Sequence, residues 1–394
     1  MDFTFSEEQE MIRKMARDFF EAECPESLVR EMEKDKNGYS PDLWHKIAEL
    51  GWLGIVFPEE YGGTGSSMLD LAVLYDEMGR AMFPSPHLST VVLCGLTILA
   101  AGNTEQKAAF LPMITKGDLI LALAFTEPSA NWDAEGITVR ATPDKDEYII
   151  NGVKLFVHDA HIADYLLCVT KTKNGEKADD GITLFLVDAK SPGLSYTILK
   201  TTAGDKQSEV IFDKVRVPEK NIVGELNGGW SPLSKSLQIG AVMLCGEMVG
   251  AGQRILELTV DYAKTRTQFD QPIGVNQHVQ NHCVQLLAMV EGSQWVTYQA
   301  AWKLSQNLPC HFEVATAKAW TSDAHEEACW RAHQVFAGIG YTLELGVLPL
   351  YSRRAKTAQL YLGDSNHHRK KIAQQLDGWT LEIPRGKPLG VGLY

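Results

Sequence analysis

The sequence predicts an α+β protein with an N-terminal helical domain, a central antiparallel β domain and a C-terminal four-helix bundle. Three successive patterns support this fold class. Apolar residues recur at helical spacing over 1–118, and short β-branched stretches separated by turn residues follow over 119–228. Long apolar segments at helical spacing return in 229–378. A chain of 394 residues is also too long for one ordinary core.

The N-terminal domain, 1–118, begins with a helix-capping signal. Ser6 precedes Glu-Glu-Gln, so its hydroxyl can accept a free N–H of the first helical turn. Pro41 predicts the start of a later helix, and Gly117 stands where the last helix of this domain ends. Further helices are predicted over 67–81, 88–101 and 104–116.

The β domain, 119–228, is predicted from short stretches rich in β-branched and aromatic residues. Turn pairs such as Asn151-Gly152 and Asn174-Gly175 separate them, and a spacing near ten residues is typical of an antiparallel sandwich or barrel. The predicted strands are 119–125, 137–142, 148–157, 165–171, 182–188, 194–199 and 209–215.

The bundle domain, 229–378, contains long segments with an apolar stripe on each. Antiparallel packing of four helices is the simplest way to bury such stripes. The predicted helices lie near 232–264, 275–305, 311–337 and 345–376. The remaining 379–394 contains two prolines and three glycines after 381, and we expect an extended tail there.

Composition narrows the class of protein. Hydrophobic residues make up 45% and charged residues 22%, as in a soluble globular protein, and the net charge of −13 argues against nucleic acid or an anionic membrane as a partner. The seven cysteines are scattered without a Cys-x-x-Cys pair, which favours free thiols in the cytoplasm. No uncharged apolar run of spanning length, secretory signal or metal-ligand pattern is evident.

One carboxylate stands out in the bundle domain. Glu247 is the single charge between Ser236 and Gln253, and on a helix its neighbours one turn away are apolar. Burial there disfavours the anion and should raise the pKa of Glu247, which is one way to make a general base. A structural ion pair with an arginine or lysine is the alternative, and the local pattern does not decide between them.

Five motifs occur in order along the chain: ELGWLGIVFPEEYGGTG at 49–65, AFTEP at 124–128, YIINGVK at 148–154, YAKTRTQFDQPIG at 262–274 and QVFAGIGYT at 334–342. Together they resemble the acyl-CoA dehydrogenase family, over about residues 3–378. The likeness is closest to bacterial members that act on steroid side chains, ring compounds and other unusual CoA thioesters.

The resemblance implies a cofactor and partners. Family members bind FAD between the β domain and the bundle, with the adenine end reaching a neighbouring subunit. They usually form homotetramers, and some are heterotetramers of two related subunits. The implied partners are an acyl-CoA substrate and an electron-transferring flavoprotein as acceptor. No Gly-x-Gly-x-x-Gly follows a strand, so FAD binding rests on the resemblance.

The resemblance also implies cofactor contacts in two groups. Residues from Leu123 through Thr126 to Trp132 would line the flavin ring, with Phe156 and His158 on a second wall. Residues that would hold a neighbour's cofactor are Arg266, Phe269, Gln334 and Gly338.

Two of these cofactor positions depart from the family pattern. Trp132 and His158 replace a usual Ser or Thr. Trp132 lacks the hydroxyl that often contacts the flavin or the thioester. His158 could donate a ring N–H to flavin N5, and the alternative is that it is an ordinary loop histidine. The Arg266 guanidinium suits a diphosphate because it can donate two hydrogen bonds at once. The alternative interpretation is that Arg266 is a solvated surface arginine.

The usual catalytic base is missing. By the resemblance, Leu362 stands where the family has a glutamate, and Gly240 stands at a second family position for the base. Glu247 lies seven residues beyond Gly240, nearly on the same helix face. Glu247 therefore becomes the predicted base, in a reaction that removes the α-proton of an acyl-CoA and passes the β-hydrogen as hydride to flavin N5.

Two rival functions stay open at this stage. One is a flavin-poor subunit of a heteromer, favoured by Leu362 and Trp132. The other is a flavoprotein of the same fold with different chemistry on a CoA thioester, such as elimination.

Overall fold

The computed structural model describes residues 4–342 and 346–376. The predicted tail, 379–394, lies outside the described residues. The N-terminal part is helical, as predicted. Its α-helices are α1 (Glu7–Glu23), α2 (Glu26–Lys34), α3 (Pro41–Glu49), α4 (Met68–Arg80), α5 (Leu96–Ala101) and α6 (Thr104–Lys116), and a π-helix (Leu88–Gly95) leads directly into α5.

Local sequence explains where these helices begin and end. The Ser6 hydroxyl accepts from the Gln9 N–H at 3.2 Å, and the Gln9 side chain accepts from the Ser6 N–H at 3.0 Å. Pro41 occupies the first turn of α3, where its missing N–H costs nothing. Gly117 ends α6 with a φ of 76°, a conformation that glycine adopts without strain.

The central part is a β-sheet whose strands lie close to the predicted stretches. Strands β4, β5 and β6 have the predicted bounds. The strands are β1 (Leu121–Ala124), β2 (Arg140–Asp144), β3 (Glu147–His158), β4 (Tyr165–Lys171), β5 (Ile182–Asp188), β6 (Leu194–Leu199), β7 (Gln207–Pro218) and β8 (Ile222–Val223), in the order β6-β7-β3-β2-β4-β5-β8 with β1 beside β4.

The sheet differs from the prediction in two details. It is mostly antiparallel, but β1 pairs with β4 in parallel and β2 touches β4 in parallel through Arg140 and Lys171. The pair Asn151-Gly152 is not a turn. It lies inside β3 at a register shift against β7, where Gly152 has a φ of 145°.

The C-terminal part is a helix bundle. Its helices are α7 (Trp230–Thr265), α8 (Gln277–Ser305), α9 (His311–Phe336), α10 (Leu348–Leu360) and α11 (Ser365–Leu376), with a small hairpin of β9 (Thr267–Gln268) and β10 (Gln271–Pro272) after α7. Single-turn 3₁₀ helices are Trp52–Gly54, Glu59–Tyr61, Ala134–Gly136, Glu219–Asn221 and Ile273–Val275, and Ala337–Tyr341 is a longer one.

The single helix predicted over 345–376 is wrong. The chain turns between α10 and α11, where Leu362 has a φ of 60° and Gly363 a φ of 100°. A positive φ is ordinary for glycine but strained for leucine. Helical periodicity continues on both sides of the turn, which is why the pattern alone suggested one helix.

Helix α7 lies at the centre of the molecule and is packed closely by α4. A Cβ added at Gly79 would lie 1.9 Å from the Glu247 carbonyl oxygen, and one added at Gly250 would lie 1.7 Å from the Asp76 carbonyl oxygen. By length and composition alone α7 could cross a membrane, yet 72% of its most apolar window is buried inside the protein. A buried core helix passes the same test.

Candidate functional site

The turn between α10 and α11 faces α7 with an apolar side chain. A Cβ added at Gly240 would lie 2.9 Å from Leu362 Cδ1 and 2.7 Å from Leu93 Cδ2. Leu362 is only 5% exposed, so its side chain fills the space that the glycine leaves. The two positions that the family resemblance associates with a base therefore face each other, and neither has a group that accepts a proton.

Buried side chains hold this turn in place. The Lys318 ammonium donates to the Gln359 carbonyl at 2.9 Å and to the Gly363 carbonyl at 3.0 Å. His368 Nε2 lies 3.0 Å from the Leu362 carbonyl, which can only accept, so this nitrogen is the donor. Burial lowers the pKa of Lys318 to about 8. These contacts fix the backbone on both sides of the strained Leu362.

Glu247 lines a different, smaller cavity of about 120 Å³. Leu244 and Tyr361 also line it. Within the described residues, the Glu247 carboxyl forms no hydrogen bond and no ion pair within 4.0 Å. Burial raises its pKa, the charge of Arg354 opposes this rise, and the charge of Asp205 adds to it. The carboxyl thus has the environment expected of a base.

Arg354 is the arginine that faces Glu247. It lines the same cavity, but its ion contact within 4.0 Å is to Glu33, at the long distance of 3.9 Å. Arg353 already holds Glu33 with contacts of 3.1 and 3.0 Å to its two oxygens. Arg354 therefore influences the charge of Glu247 across the cavity without a direct ion pair.

A second carboxyl in this cavity, Asp159, is paired with a serine. Ser89 Oγ donates to Asp159 Oδ2 at 2.5 Å and is also 3.0 Å from the Pro86 carbonyl. One hydroxyl proton can serve only one of these acceptors. Burial raises the pKa of Asp159 to about 7, although the Ser89 hydrogen bond opposes the rise. Asp159 is thus poised between its neutral and charged forms near neutral pH.

His158 and Tyr361 separate the small cavity from a larger one. Their ring centroids are 4.2 Å apart, and both residues line both cavities. His158 Nδ1 lies 3.8 Å from Asp205 Oδ2, and burial lowers the pKa of His158 despite this carboxylate. In the described part of the chain its Nε2 is buried without a hydrogen-bond partner.

The larger cavity lies between the sheet and the bundle and has a volume of about 1000 Å³. Trp132, Phe156 and Tyr361 supply aromatic walls. Trp132 packs edge-on against Tyr361 with ring centroids 5.5 Å apart. Phe156 holds a φ of 53° and is 41% exposed. Aromatic walls and the unpartnered His158 nitrogen fit a planar heteroaromatic group such as a flavin ring.

A third cavity, of about 450 Å³, lies on the other side of Trp132. Leu362 and Trp230 also line it, so this space approaches the turn between α10 and α11. Lys371 at its edge is 3.0 Å from Asp133. Among the described residues, no group of three or more His, Cys, Asp or Glu side chains is placed to hold a metal ion.

Two predicted cofactor residues lie behind these cavities rather than on their walls. Leu123 is 2% exposed in β1 and belongs to the main hydrophobic core. Thr126 is 3% exposed, and its carbonyl accepts from the Leu155 N–H at 2.8 Å. Neither lines the three cavities described above. Thr126 connects the chain after β1 to β3, whereas Leu123 pairs with Leu167 of β4.

The remaining predicted cofactor residues lie together at another end of the bundle. Tyr262 on α7 stacks on Phe336 on α9, with ring centroids 4.3 Å apart. This contact brings the C-terminal ends of the two helices side by side. Four exposed residues follow or flank it, and none lines the cavity of His158: Arg266, Phe269, Gln334 and Gly338. Phe269 is 95% exposed.

Sequence reasoning missed several residues of the small cavity. Ser89, Asp159 and Arg354 belong to three different parts of the fold, and no motif links them. The available signal was adjacency along the chain, because Asp159 directly follows His158 and Tyr361 directly precedes Leu362. Lys318 had a weaker signal, as a charge in an alanine-rich helix.

Sequence profiles of three domains of one family match the chain. The acyl-CoA dehydrogenase N-terminal domain matches residues 6–118, the middle domain 122–215 and the C-terminal domain 227–376. The chain belongs to the acyl-CoA dehydrogenase family, and its activity class is that of oxidoreductases acting on acyl-CoA thioesters. The predicted family and fold class are confirmed.

Individual relatives cover nearly the whole chain. The caffeyl-CoA reductase-Etf complex subunit CarC of Acetobacterium woodii is 32% identical, covering 94% of this chain and 99% of that protein. Butyryl-CoA dehydrogenase from Megasphaera elsdenii has a similar structure, with a TM-score of 0.87, 28% identity and coverage of 95% and 100%. The FAD complex of PigA has a TM-score of 0.87, 26% identity and coverage of 96% and 99%.

Proposed function

We propose that this chain is an FAD-dependent acyl-CoA dehydrogenase in which Glu247 takes the α-proton of the acyl thioester. One observation carries the proposal. Glu247 is a cavity-facing carboxyl with no ion pair within 4.0 Å in the described part of the chain, while Leu362 and Gly240 leave the usual base positions without a carboxylate.

The electrostatics of Glu247 support this role. A base works best when its pKa lies near the working pH, and burial moves the pKa of Glu247 upward in that direction. Arg354 limits the rise, so that the anion remains accessible. Tyr361 and His158 separate Glu247 from the larger cavity, and a substrate carbon would have to lie near these rings to meet the carboxyl.

The turn at Leu362 supports activation of the thioester. Within the described residues, the Leu362 N–H forms no hydrogen bond, and the residue is only 5% exposed. A fixed N–H of this kind can donate to a thioester carbonyl and stabilise the negative charge that develops when the α-proton leaves. Lys318 and His368 hold the turn, so the donor would be oriented before substrate binds.

The cavity of His158, Trp132 and Phe156 would hold the isoalloxazine of FAD. Bound FAD would accept the β-hydrogen as hydride and pass electrons to an electron-transferring flavoprotein. Arg266 and Gln334 lie at a different end of the bundle, which supports a role toward a neighbouring chain's FAD. A tetramer, either of identical chains or with a related subunit, would bring the two groups together.

An anaerobic spectrum tests the proposed function. Purified protein loaded with FAD is mixed with a panel of straight-chain, branched and ring-bearing acyl-CoA thioesters without oxygen. We expect at least one thioester to bleach the oxidised flavin band and yield the enoyl-CoA product. An oxidised spectrum throughout the panel, together with substrate converted to another product, would instead favour elimination or related chemistry.

A second candidate is a flavin-poor subunit of a heteromeric acyl-CoA dehydrogenase. The packing of Leu362 into the space at Gly240 favours it, because that contact closes the usual base positions. The ratio of flavin to chain separates the two candidates. About one flavin per chain in the purified protein supports a self-sufficient enzyme, whereas about half or none supports the heteromer.

A further inference from the structure

The Arg354 guanidinium faces the small cavity without a close protein partner. Its side chain is 16% exposed and forms no hydrogen bond within the described residues, and its contact to Glu33 is 3.9 Å long. A guanidinium has five N–H donors in a planar fork, and a buried one is normally hydrogen-bonded. Donors that line a cavity without a protein acceptor are available to a ligand that supplies the acceptor.

The other charges in the cavity limit what that acceptor can be. Asp159, Glu247 and Asp205 also line the cavity, and the fourth carboxyl, Glu33, is already paired with Arg353. Another carboxylate would meet repulsion from these groups. A neutral oxygen, such as a ketone carbonyl, accepts from a guanidinium without adding negative charge.

About half of the cavity wall is apolar. Leu88, Leu244, Phe83 and Tyr361 contribute hydrocarbon and aromatic surface. The volume of about 120 Å³ leaves room for a short segment of an acyl group. The cavity therefore suits a hydrocarbon segment that carries one oxygen.

We propose that Arg354 determines specificity for acyl-CoA thioesters whose acyl group bears a neutral carbonyl oxygen, which the guanidinium binds in this cavity. This assignment rests on the proposed function for the identity of the ligand as an acyl-CoA. Ser89 and Asp159, which are hydrogen-bonded to each other, line the same cavity.

Binding of unreactive ligands tests the proposal independently of turnover. Alkyl, oxoalkyl and carboxyalkyl thioethers of CoA, matched and graded in chain length, are titrated calorimetrically into the FAD-loaded protein. We expect one oxoalkyl ligand to bind about tenfold or more tightly than its alkyl match, the range for a hydrogen bond to a charged group. The carboxyalkyl ligand should bind more weakly than the oxoalkyl one.

Variants assign the preference to Arg354. Arg354→Met should reduce the oxoalkyl preference to about twofold or less, and Arg354→Lys, which keeps the charge but loses the fork, should retain only part of it. Arg216→Met is the matched control, because Arg216 is a surface residue of β7 paired with Asp144 and Glu147. Circular dichroism checks the fold of each variant.

Three results would overturn the proposal: no oxoalkyl preference in the wild type, tighter binding of the carboxyalkyl ligand, or a full preference in Arg354→Met. Failure of the proposed function would give a different result, in the flavin spectrum rather than in ligand binding. In that case no acyl-CoA thioester reduces the flavin, whatever the thioether binding shows.

Discussion

The Asp76 carboxyl is buried where α4 crosses α7, and it is only 1% exposed. The Tyr298 hydroxyl donates to Asp76 Oδ2, while Oδ1 is buried without a partner in the described part of the chain. Burial raises the pKa of Asp76 to about 6, although Tyr298, Arg13 and Arg17 oppose the rise. The folded protein therefore binds this proton more tightly than the unfolded chain does.

This carboxyl should make stability depend on pH. Because the pKa is raised on folding, the stabilising contribution is fully present below the unfolded pKa of about 4 and is lost as pH rises through about 6. Asp76→Asn keeps a neutral acceptor for Tyr298. We expect its unfolding free energy, relative to wild type, to increase between those pH values by at most about 3 kcal/mol.

Denaturant unfolding at several pH values measures this difference. Asp144→Asn provides the control, because the Asp144 side chain is 38% exposed and pairs with Arg216 at the surface. A stability difference for Asp76→Asn that stays constant across the range would show that Asp76 does not titrate in this way.

Glu247 illustrates how far single residues can be interpreted from sequence. A lone carboxylate among apolar helix neighbours was enough to predict burial and the direction of its pKa shift. The identity of its neighbours was not predictable, because Arg354 and Asp205 come from α10 and the loop before β7. Helical spacing reports on neighbours within a turn or two, whereas the charge environment depends on the tertiary fold.

At the level of elements, the hydrophobic periodicity and the turn residues correctly predicted the positions of the strands and of most helices. The exception is the turn between α10 and α11, where Leu362 adopts a φ that leucine rarely takes. Two residues in that stretch do signal a break: Gly363 accepts a positive φ, and Asp364 Oδ1 accepts from the His367 N–H at 2.8 Å where α11 begins. The contacts from Lys318 on α9, 41 residues before Gln359, are invisible to local patterns.

Removing the Lys318 ammonium should loosen this turn. Lys318→Met leaves the Gln359 and Gly363 carbonyls buried without their donor, at an expected loss of about 2–4 kcal/mol in unfolding free energy. Thermal and denaturant unfolding measure the loss. Lys46→Met removes an exposed pair with Glu23 and should cost less than about 1 kcal/mol. Equal losses in the two variants would contradict a role for Lys318 in fixing the turn.

At the level of the whole molecule, the predicted cofactor residues form two separate groups. The cavity of His158 lies between sheet and bundle, while Arg266 and Gln334 lie exposed at one end of α7 and α9. The family resemblance anticipated this separation, since it assigned the second group to a neighbour's FAD.

The proposed role of Arg266 toward a neighbouring chain's FAD predicts an effect of Arg266 on flavin content. Arg266→Ala should weaken FAD binding by about tenfold, because a guanidinium contact to a diphosphate is lost, while secondary structure stays unchanged. Flavin absorbance per chain after dialysis measures the cofactor content, and light scattering measures the oligomeric state. Arg216→Ala should keep its flavin. Full flavin content in Arg266→Ala would indicate that Arg266 is only a solvated surface residue.

The proposed dehydrogenation mechanism depends on Glu247 acting as the base. Its most direct test is stopped-flow flavin reduction, without oxygen, by whichever acyl-CoA bleaches the wild-type flavin. Glu247→Gln should keep fold and flavin but slow reduction by about a thousandfold, within the usual contribution of a general base. Glu257→Gln, at a partly exposed position on the same helix, should reduce at nearly the wild-type rate. Reduction of Glu247→Gln near the wild-type rate would show that another group takes the α-proton.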